Sequence, residues 1–362
     1  MSSVLVFGLG LVLLVMGGEM LVRGASRLAA TFGISPLVVG LTVVSFGTSA
    51  PELAVSLQSV SAGQVDLALG NVIGSNILNV LFILGIAAVI TPLLVDRQLI
   101  RQEVPFMVAM SVLLLGLGFD GSLGFADGLV LFLLLLGYVA FTVWQSRRQN
   151  HVNASDEPAE APSWRNHWTV QIGWVVAGLV LLVLGADWLV EAAIVFAKAL
   201  GVSEAIIGLT IVAVGTSLPE VATSVIAAVR GERDIAVGNV VGSNIFNILC
   251  VLGLSALVAP TALIVTPALL VFDLPVMIVV AFACLPIFFT GNLIARWEGM
   301  LFLLGYAAYL TYLIMEAVHH AQLETYSMAM AYFIGPVVML TLSVIFYREW
   351  QQRRMQRLLR QS

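Results

Sequence analysis

The sequence predicts an all-α polytopic membrane protein: an inverted-topology repeat of two five-helix halves, ten core helices in all, followed by an eleventh C-terminal helix. Three observations predict this class. The chain is 60% hydrophobic and 10% charged, with a mean hydropathy of +1.03, whereas a soluble domain carries about 25% charged residues. Its two halves repeat each other. Residues 40–57 (GLTVVSFGTSAPELAVSL) and 208–225 (GLTIVAVGTSLPEVATSV) are identical at 11 of 18 positions, at a constant offset of 168. The same offset links 69–85 (LGNVIGSNILNVLFILG) to 237–253 (VGNVVGSNIFNILCVLG), with 11 of 17 identical. Finally, each copy sets a glutamate inside an otherwise apolar segment. A carboxylate at membrane depth is costly and by default marks an ion or proton site. Two of them related by a repeat place that site at the repeat interface.

A spanning helix needs roughly 20 apolar residues. That rule predicts helices over 4–22, 36–60, 67–90, 104–119, 127–145, 169–190, 206–229, 236–258, 271–290, 298–317 and 327–347. The first five correspond one to one with the next five. The first half is thus 1–145 and the second 169–318, with the eleventh helix and a basic tail in 319–362. Residues 146–168 are the polar, proline-bearing linker, too short to hold a regulatory domain. The N-terminal apolar run belongs to the repeat, so it reads as a helix rather than a cleaved signal. Cys250 and Cys284 lie in apolar runs and read as buried free thiols.

Orientation follows from Arg and Lys. With the N-terminus outside and eleven spans, every basic residue of the 16 lies on the inside except Lys198. This predicts an integral protein of the cell (plasma or inner) membrane whose linker and C-terminus are cytoplasmic. Each half has an odd number of helices, so the second enters from the opposite side. The net charge of −5 describes loops and site residues, and nothing in the chain points to nucleic acid.

The chemistry sits in the second and third helices of each half. Pro51 and Pro219 cannot donate to the carbonyls of Gly47 and Gly215, which breaks each helix, and those glycines add local freedom. Such a break is tolerated where it faces protein or a wet cavity. The freed carbonyls, the hydroxyls of Thr48, Ser49, Thr216 and Ser217, and the carboxylates of Glu52 and Glu220 make an all-oxygen set. Hard cations such as Ca²⁺ and Na⁺ want that set. Ser75 and Asn79 share one face of the third helix, and Ser243 and Asn247 share the matching face of the eighth. Gly70, Gly74, Gly238 and Gly242 allow close backbone approach.

Other polar residues admit plainer roles. Asn71, Asn76, Asn239 and Asn244 either bond helices together or touch the ion. Glu19, which repeats as Asp187, can pair with Arg23 four residues on and serves structure or gating. Asp66 and Asp234 sit just before helices and read as caps. His319 and His320 form an interfacial pair, and the tail REWQQRRMQRLLR a cytoplasmic surface-binding stop.

GTSAPE with GSNILN, and GTSLPE with GSNIFN, resemble the alpha-repeats of the calcium/cation antiporter superfamily, in particular its prokaryotic sodium/calcium exchanger-type members. GADWLVEAA in the sixth helix is similar to that family's first helix of each half. The resemblance covers residues 1 to about 318. It implies a cation cluster at mid-membrane, alternating access by sliding of helices one and six, and no cofactor besides the transported ions. It implies Ca²⁺ on Glu52 and Glu220 with backbone oxygens of Thr48 and Thr216. It also implies Na⁺ contacts from Ser49, Ser75, Ser217 and Ser243 and from the carbonyls of Ser45 and Ala213, with Asn79 and Asn247 flanking the centre. Two features depart from the family. Members often carry Asp at one of the positions matching Asn79 and Asn247, and both are Asn here. The eleventh helix also falls outside the ten-helix core. The function expected is secondary Na⁺/Ca²⁺ antiport, with Ca²⁺/H⁺ exchange the alternative and a passive cation channel the reading from another class. No histidine metal cluster, nucleophile elbow or phosphate loop points to an enzyme. Oligomeric state is not legible.

Overall fold

A 30-residue stretch free of proline forms helix α1 (Ser3–Phe32) in a computed structural model that describes residues 3–153, 167–200, 211, 213–289 and 291–330, with single positions at 343, 347 and 351. At 1.5 Å per residue α1 is about 45 Å long, more than the ~30 Å of a hydrocarbon core. The expected end at residue 22 is therefore corrected: the helix runs on past the apolar zone and carries Arg23 and Arg27 on that extension.

The chain continues as α2 (Pro36–Thr48), α3 (Ala50–Ser61), α4 (Leu67–Ile90) and α5 (Leu99–Asp120), then α6 (Phe125–Asn153). The second half gives α7 (Trp168–Ala199), α8 (Ala213–Thr216), α9 (Leu218–Arg230), α10 (Arg233–Val258), α11 (Leu269–Phe289) and α12 (Arg296–Ala317), followed by α13 (Leu323–Ala329). Among the described residues eight helices are long and apolar enough to cross a membrane, or nine with the bent pair α2–α3 taken as one span. Residues 206–210 and 212 of the seventh expected helix lie outside the described residues. So do 154–166 of the linker, most of the eleventh helix 327–347 beyond α13, and most of the tail. Residues 146–153, expected in the linker, continue α6, and Lys198 lies on a sixth helix that extends to Ala199.

Four two-residue strands fix the relation of the halves: β1 (Leu93–Leu94), β2 (Ser122–Leu123), β3 (Leu263–Ile264) and β4 (Leu293–Ile294). Strand β1 pairs antiparallel with β4, and β2 with β3. Exchanging the halves turns one pair into the other, as a two-fold axis requires. The two ladders flank the ends of α5, which sets them on opposite faces of the bundle.

Helices α4 and α10 form the centre. Every residue from Ile235 to Phe246 is buried, the polar Asn239, Ser243 and Asn244 included. Gly238 and Gly242 let α2 lie against α10: a Cβ on Gly242 would stand 2.7 Å from the Leu41 carbonyl oxygen. The close approach expected at Gly70 and Gly74 is corrected: a Cβ on either would meet no described atom of another element within 4 Å.

Helices α1 and α7 pack along each other on a glycine seam outside this centre. A Cβ on Gly17 would meet the Gly178 carbonyl oxygen at 2.7 Å, and one on Gly185 would meet the Gly10 carbonyl oxygen at 2.8 Å. Gly10 repeats as Gly178 and Gly17 as Gly185, so the seam crosses itself symmetrically. Beyond the expected Glu19–Arg23 pair, Glu19 also takes Arg230 at the end of α9. Ser26 donates to Glu232 Oε1 (2.9 Å). Asp66 and Asp234 are both corrected from caps to second helical residues, since the helical backbone begins at Val65 and at Arg233. Glu232 holds the cap position with no side-chain capping bond, its carboxylate being turned to Ser26.

Candidate cation site

Each broken helix breaks at a serine. Ser49 (φ −82°, ψ 5°) separates α2 from α3 with a bend of 43°, and Ser217 (φ −93°, ψ 7°) separates α8 from α9. Pro51 and Pro219 then sit in the first turn of the new helix, where a missing N–H costs nothing. Glu52 and Glu220 follow in that same first turn, where helix N–H groups favour negative charge. Gly47 and Gly215 have a different role from the one expected. They are helical, and a Cβ on Gly47 would strike Leu179 at 2.6 Å, while one on Gly215 would overlap Val190, both partners being on α7. The need is close approach of α7, not backbone freedom.

The two halves exchange hydrogen bonds at the centre. Ser49 donates to Glu220 Oε1 (3.0 Å), and Ser217 donates to Glu52 Oε1 (2.8 Å). The Ser217 and Ser75 hydroxyls are 3.2 Å apart. Glu52 and Glu220 are each 1% exposed, and Ser49, Ser75, Ser217, Ser243, Asn79 and Asn247 are buried with them. At this centre the buried side-chain oxygens without a hydrogen-bond partner are Ser243 Oγ and the repeat-related set of Glu52 Oε2, Glu220 Oε2, Asn79 Oδ1 and Asn247 Oδ1. An orphaned buried acceptor costs about 1–3 kcal/mol, more when charged. Four on repeat-related residues are a preformed demand for positive charge. Among the described residues no three His, Cys, Asp or Glu side chains cluster as a metal site, so the formal charge comes from two carboxylates and the rest of the set is neutral oxygen.

Asn79 and Asn247 each begin a π-helical segment, Asn79–Leu84 and Asn247–Leu252, and such wide turns frequently mark functional positions. Their Nδ2 groups donate to Asn244 Oδ1 (3.0 Å) and Asn76 Oδ1 (3.1 Å). The Thr48 hydroxyl donates to Asn239 Oδ1 (3.1 Å). The Ser45 carbonyl accepts from the Ser49 N–H at 3.0 Å and the Thr48 hydroxyl at 3.4 Å. Thr216 ends α8 and Ala213 begins it. Asn71 donates to the Glu52 carbonyl (3.3 Å) and to Ser56, and Asn239 donates to Ser224. These two asparagines hold helices together.

Two further pairs escape the sequence reading. Tyr138 donates to Glu103 Oε2 (2.8 Å), and Tyr309 donates to Asp273 Oδ1 (3.0 Å), clamping α5 to α6 and α11 to α12. They are a repeat as well, but at offsets of 170 and 171, and a search that let the offset drift would have found them.

Inverted helix repeats around two buried carboxylates and a set of neutral oxygens define a membrane carrier for a hard cation. The chain belongs to the sodium/calcium exchanger protein family, whose profile matches residues 2–144 and 170–315. The sodium/calcium exchanger MaX1 of Methanosarcina acetivorans is 35% identical over 344 residues, 85% of this chain and 97% of that protein. The inner membrane protein YrbG of Escherichia coli K12 is 43% identical over 255 residues, 69% of this chain and 78% of that protein. The sodium-calcium exchanger NCX_Mj, in crystals soaked with 10 mM Na⁺ and 10 mM Sr²⁺, matches with a TM-score of 0.73 and 32% identity over 85% of this chain and 97% of that one.

Proposed function

We propose that this protein is a secondary active antiporter that exchanges Ca²⁺ for Na⁺ across the cell membrane by alternating access. The observation that carries the reading is the set of four orphaned buried oxygens on Glu52, Glu220, Asn79 and Asn247. Two carboxylates neutralise one Ca²⁺ or hold monovalent cations in its place. Because both ions use the same carboxylates, one excludes the other, and neutralisation is what lets the loaded centre pass the low-dielectric barrier. The backbone oxygens of Thr48, Thr216, Ser45 and Ala213 complete the shell as carriers of partial charge. The α1–α7 pair, held on its glycine seam, is the body that slides. Membership of an exchanger family favours Na⁺ over H⁺ as the counter-ion.

The test is Ca²⁺ flux in proteoliposomes, driven first by a Na⁺ gradient and then by a pH gradient. Na⁺-driven, saturable counterflow is expected. Flux driven by pH alone would replace Na⁺ with H⁺, and flux without counterflow would make the protein a channel.

We further infer the domain division 1–145 and 169–318, an N-terminus outside, and a linker and C-terminus in the cytoplasm. The segregation of every basic residue except Lys198 to one side supports the orientation. Cysteines introduced at Ser155 and Gln361 are expected to react only from the inside. External labelling of either reverses the orientation, and labelling from opposite sides removes the eleventh span.

With Asn at both 79 and 247, where the family resemblance implies Asp at one of the two, the centre has two carboxylates and no third. Asn247→Asp is expected to keep the fold and add a third negative charge. Like charges crowd one another toward protonation, so Ca²⁺ uptake by the variant should fall as pH drops from about 8 to 5, more steeply than wild type, with altered Na⁺ competition. Superimposable pH and Na⁺ curves would show that Asn247 does not face the ions.

A further inference from the structure

Behind the two ion-facing asparagines stands a second pair, Asn76 and Asn244, joined across the two-fold axis. Asn76 Nδ2 donates to the Asn244 carbonyl (3.3 Å) and lies 3.6 Å from Met277 Sδ. Asn244 Nδ2 donates to the Asn76 carbonyl (3.2 Å) and lies 3.5 Å from Met107 Sδ. A carbonyl oxygen and a thioether sulfur only accept. Each of these amides therefore has one way round: its NH₂ goes to the carbonyl and the sulfur, and its Oδ1 is left facing the other way. That Oδ1 takes the Nδ2 of Asn247 (from Asn76) or of Asn79 (from Asn244). The orientation passes on, and Asn247 and Asn79 are left with oxygen, not NH₂, on the unpartnered side. Turning Asn76 or Asn244 over would set acceptor against acceptor at the carbonyl and donor against donor between the amides, and turning Asn247 or Asn79 over would set two amide oxygens against each other.

From this geometry we infer that Asn76 and Asn244 are positioning residues that set which face of the Asn247 and Asn79 amides meets the transported cation. The inference rests on the reading of Asn79 and Asn247 as ion-facing. The difference matters because an amide oxygen attracts a cation and an amide NH₂ repels it, while both ends have nearly the same size. The ring Asn76–Asn247 and Asn244–Asn79 thus acts on cation affinity without touching the cation. Met107 and Met277 belong to it as the groups that refuse to donate.

The test is equilibrium Ca²⁺ binding, with Na⁺ competition, to the purified full-length protein and to Asn76→Leu, Asn247→Ala and the double variant, with melting temperature measured on each. Asn76→Leu is expected to raise the Ca²⁺ Kd about tenfold, the scale of one misoriented buried polar group. In the Asn247→Ala background the same change should alter Kd by less than about twofold, because the amide it orients is gone. Where Asn76→Leu does not fold, the reciprocal set Asn244→Leu, Asn79→Ala and their double variant carries the same expectation. Equal losses in both backgrounds, or an unchanged Kd for the single variant, would overturn the orienting role while leaving the antiporter reading intact. Absence of Ca²⁺ binding by the wild type would overturn that reading itself.

Discussion

Glu52→Gln and Glu220→Gln are each expected to abolish Ca²⁺ exchange while the protein still inserts and folds. Glutamine keeps the shape and can still accept from Ser217 or Ser49, so the reciprocal bonds across the axis survive. What is lost is half the formal countercharge of the centre. Removing one partner of a buried charge pair costs about 3–5 kcal/mol, which is more than about 100-fold in affinity. The same change replaces a buried carboxylate, one oxygen of which has no protein partner, by a neutral amide. Without Ca²⁺, both variants should therefore melt no lower than wild type. Flux assays and ion-free melting curves check the two halves of this expectation. Normal transport by either variant would sink the assignment of the carboxylates.

Gly17→Val is expected to be nearly as damaging by a different route. Its Cβ would lie 2.7 Å from both the Gly178 carbonyl oxygen and the Leu182 nitrogen. Both are backbone atoms of α7, so no side chain can turn aside. The seam has to open, at a cost above about 3 kcal/mol, and folded, monodisperse protein should be lost with transport. Gly8 lies on the same helix, with no described atom within 4 Å of the point where a Cβ would stand, and Gly8→Ala should be silent. Folded, active Gly17→Val protein would mean that α1 and α7 are not held at that seam.

The parts of the molecule legible in the sequence were those whose cost shows locally. A glutamate beside a proline in an apolar segment, written twice, announces the symmetry and a candidate site, because a carboxylate at membrane depth is costly. What escaped was set by partners far along the chain. Gly47 and Gly215 looked like hinge residues because their neighbours Leu179 and Val190 lie on a helix that sequence spacing does not bring to them. The π-turns at Asn79 and Asn247 depend on hydrogen-bond register, which composition does not record. Asn76 and Asn244 were indistinguishable from helix-bonding asparagines until Met107, Met277 and two carbonyls fixed which way their amides turn. The clamps Glu103–Tyr138 and Asp273–Tyr309 slipped past a fixed offset because short insertions shift the later helices of each half.

The exchange of partners between halves also dictates an order of events at the ribosome. Glu52 takes its hydroxyl donor from Ser217, and Asn79 takes its amide partner from Asn244, residues translated long after the first five helices have entered the bilayer. Until α8–α10 are made, Glu52 lacks the Ser217 donor and Asn79 the Asn244 acceptor that they have in the finished fold. The first half is therefore a waiting state for the insertion machinery, and the molecule closes only when its own second copy, upside down, is delivered to it.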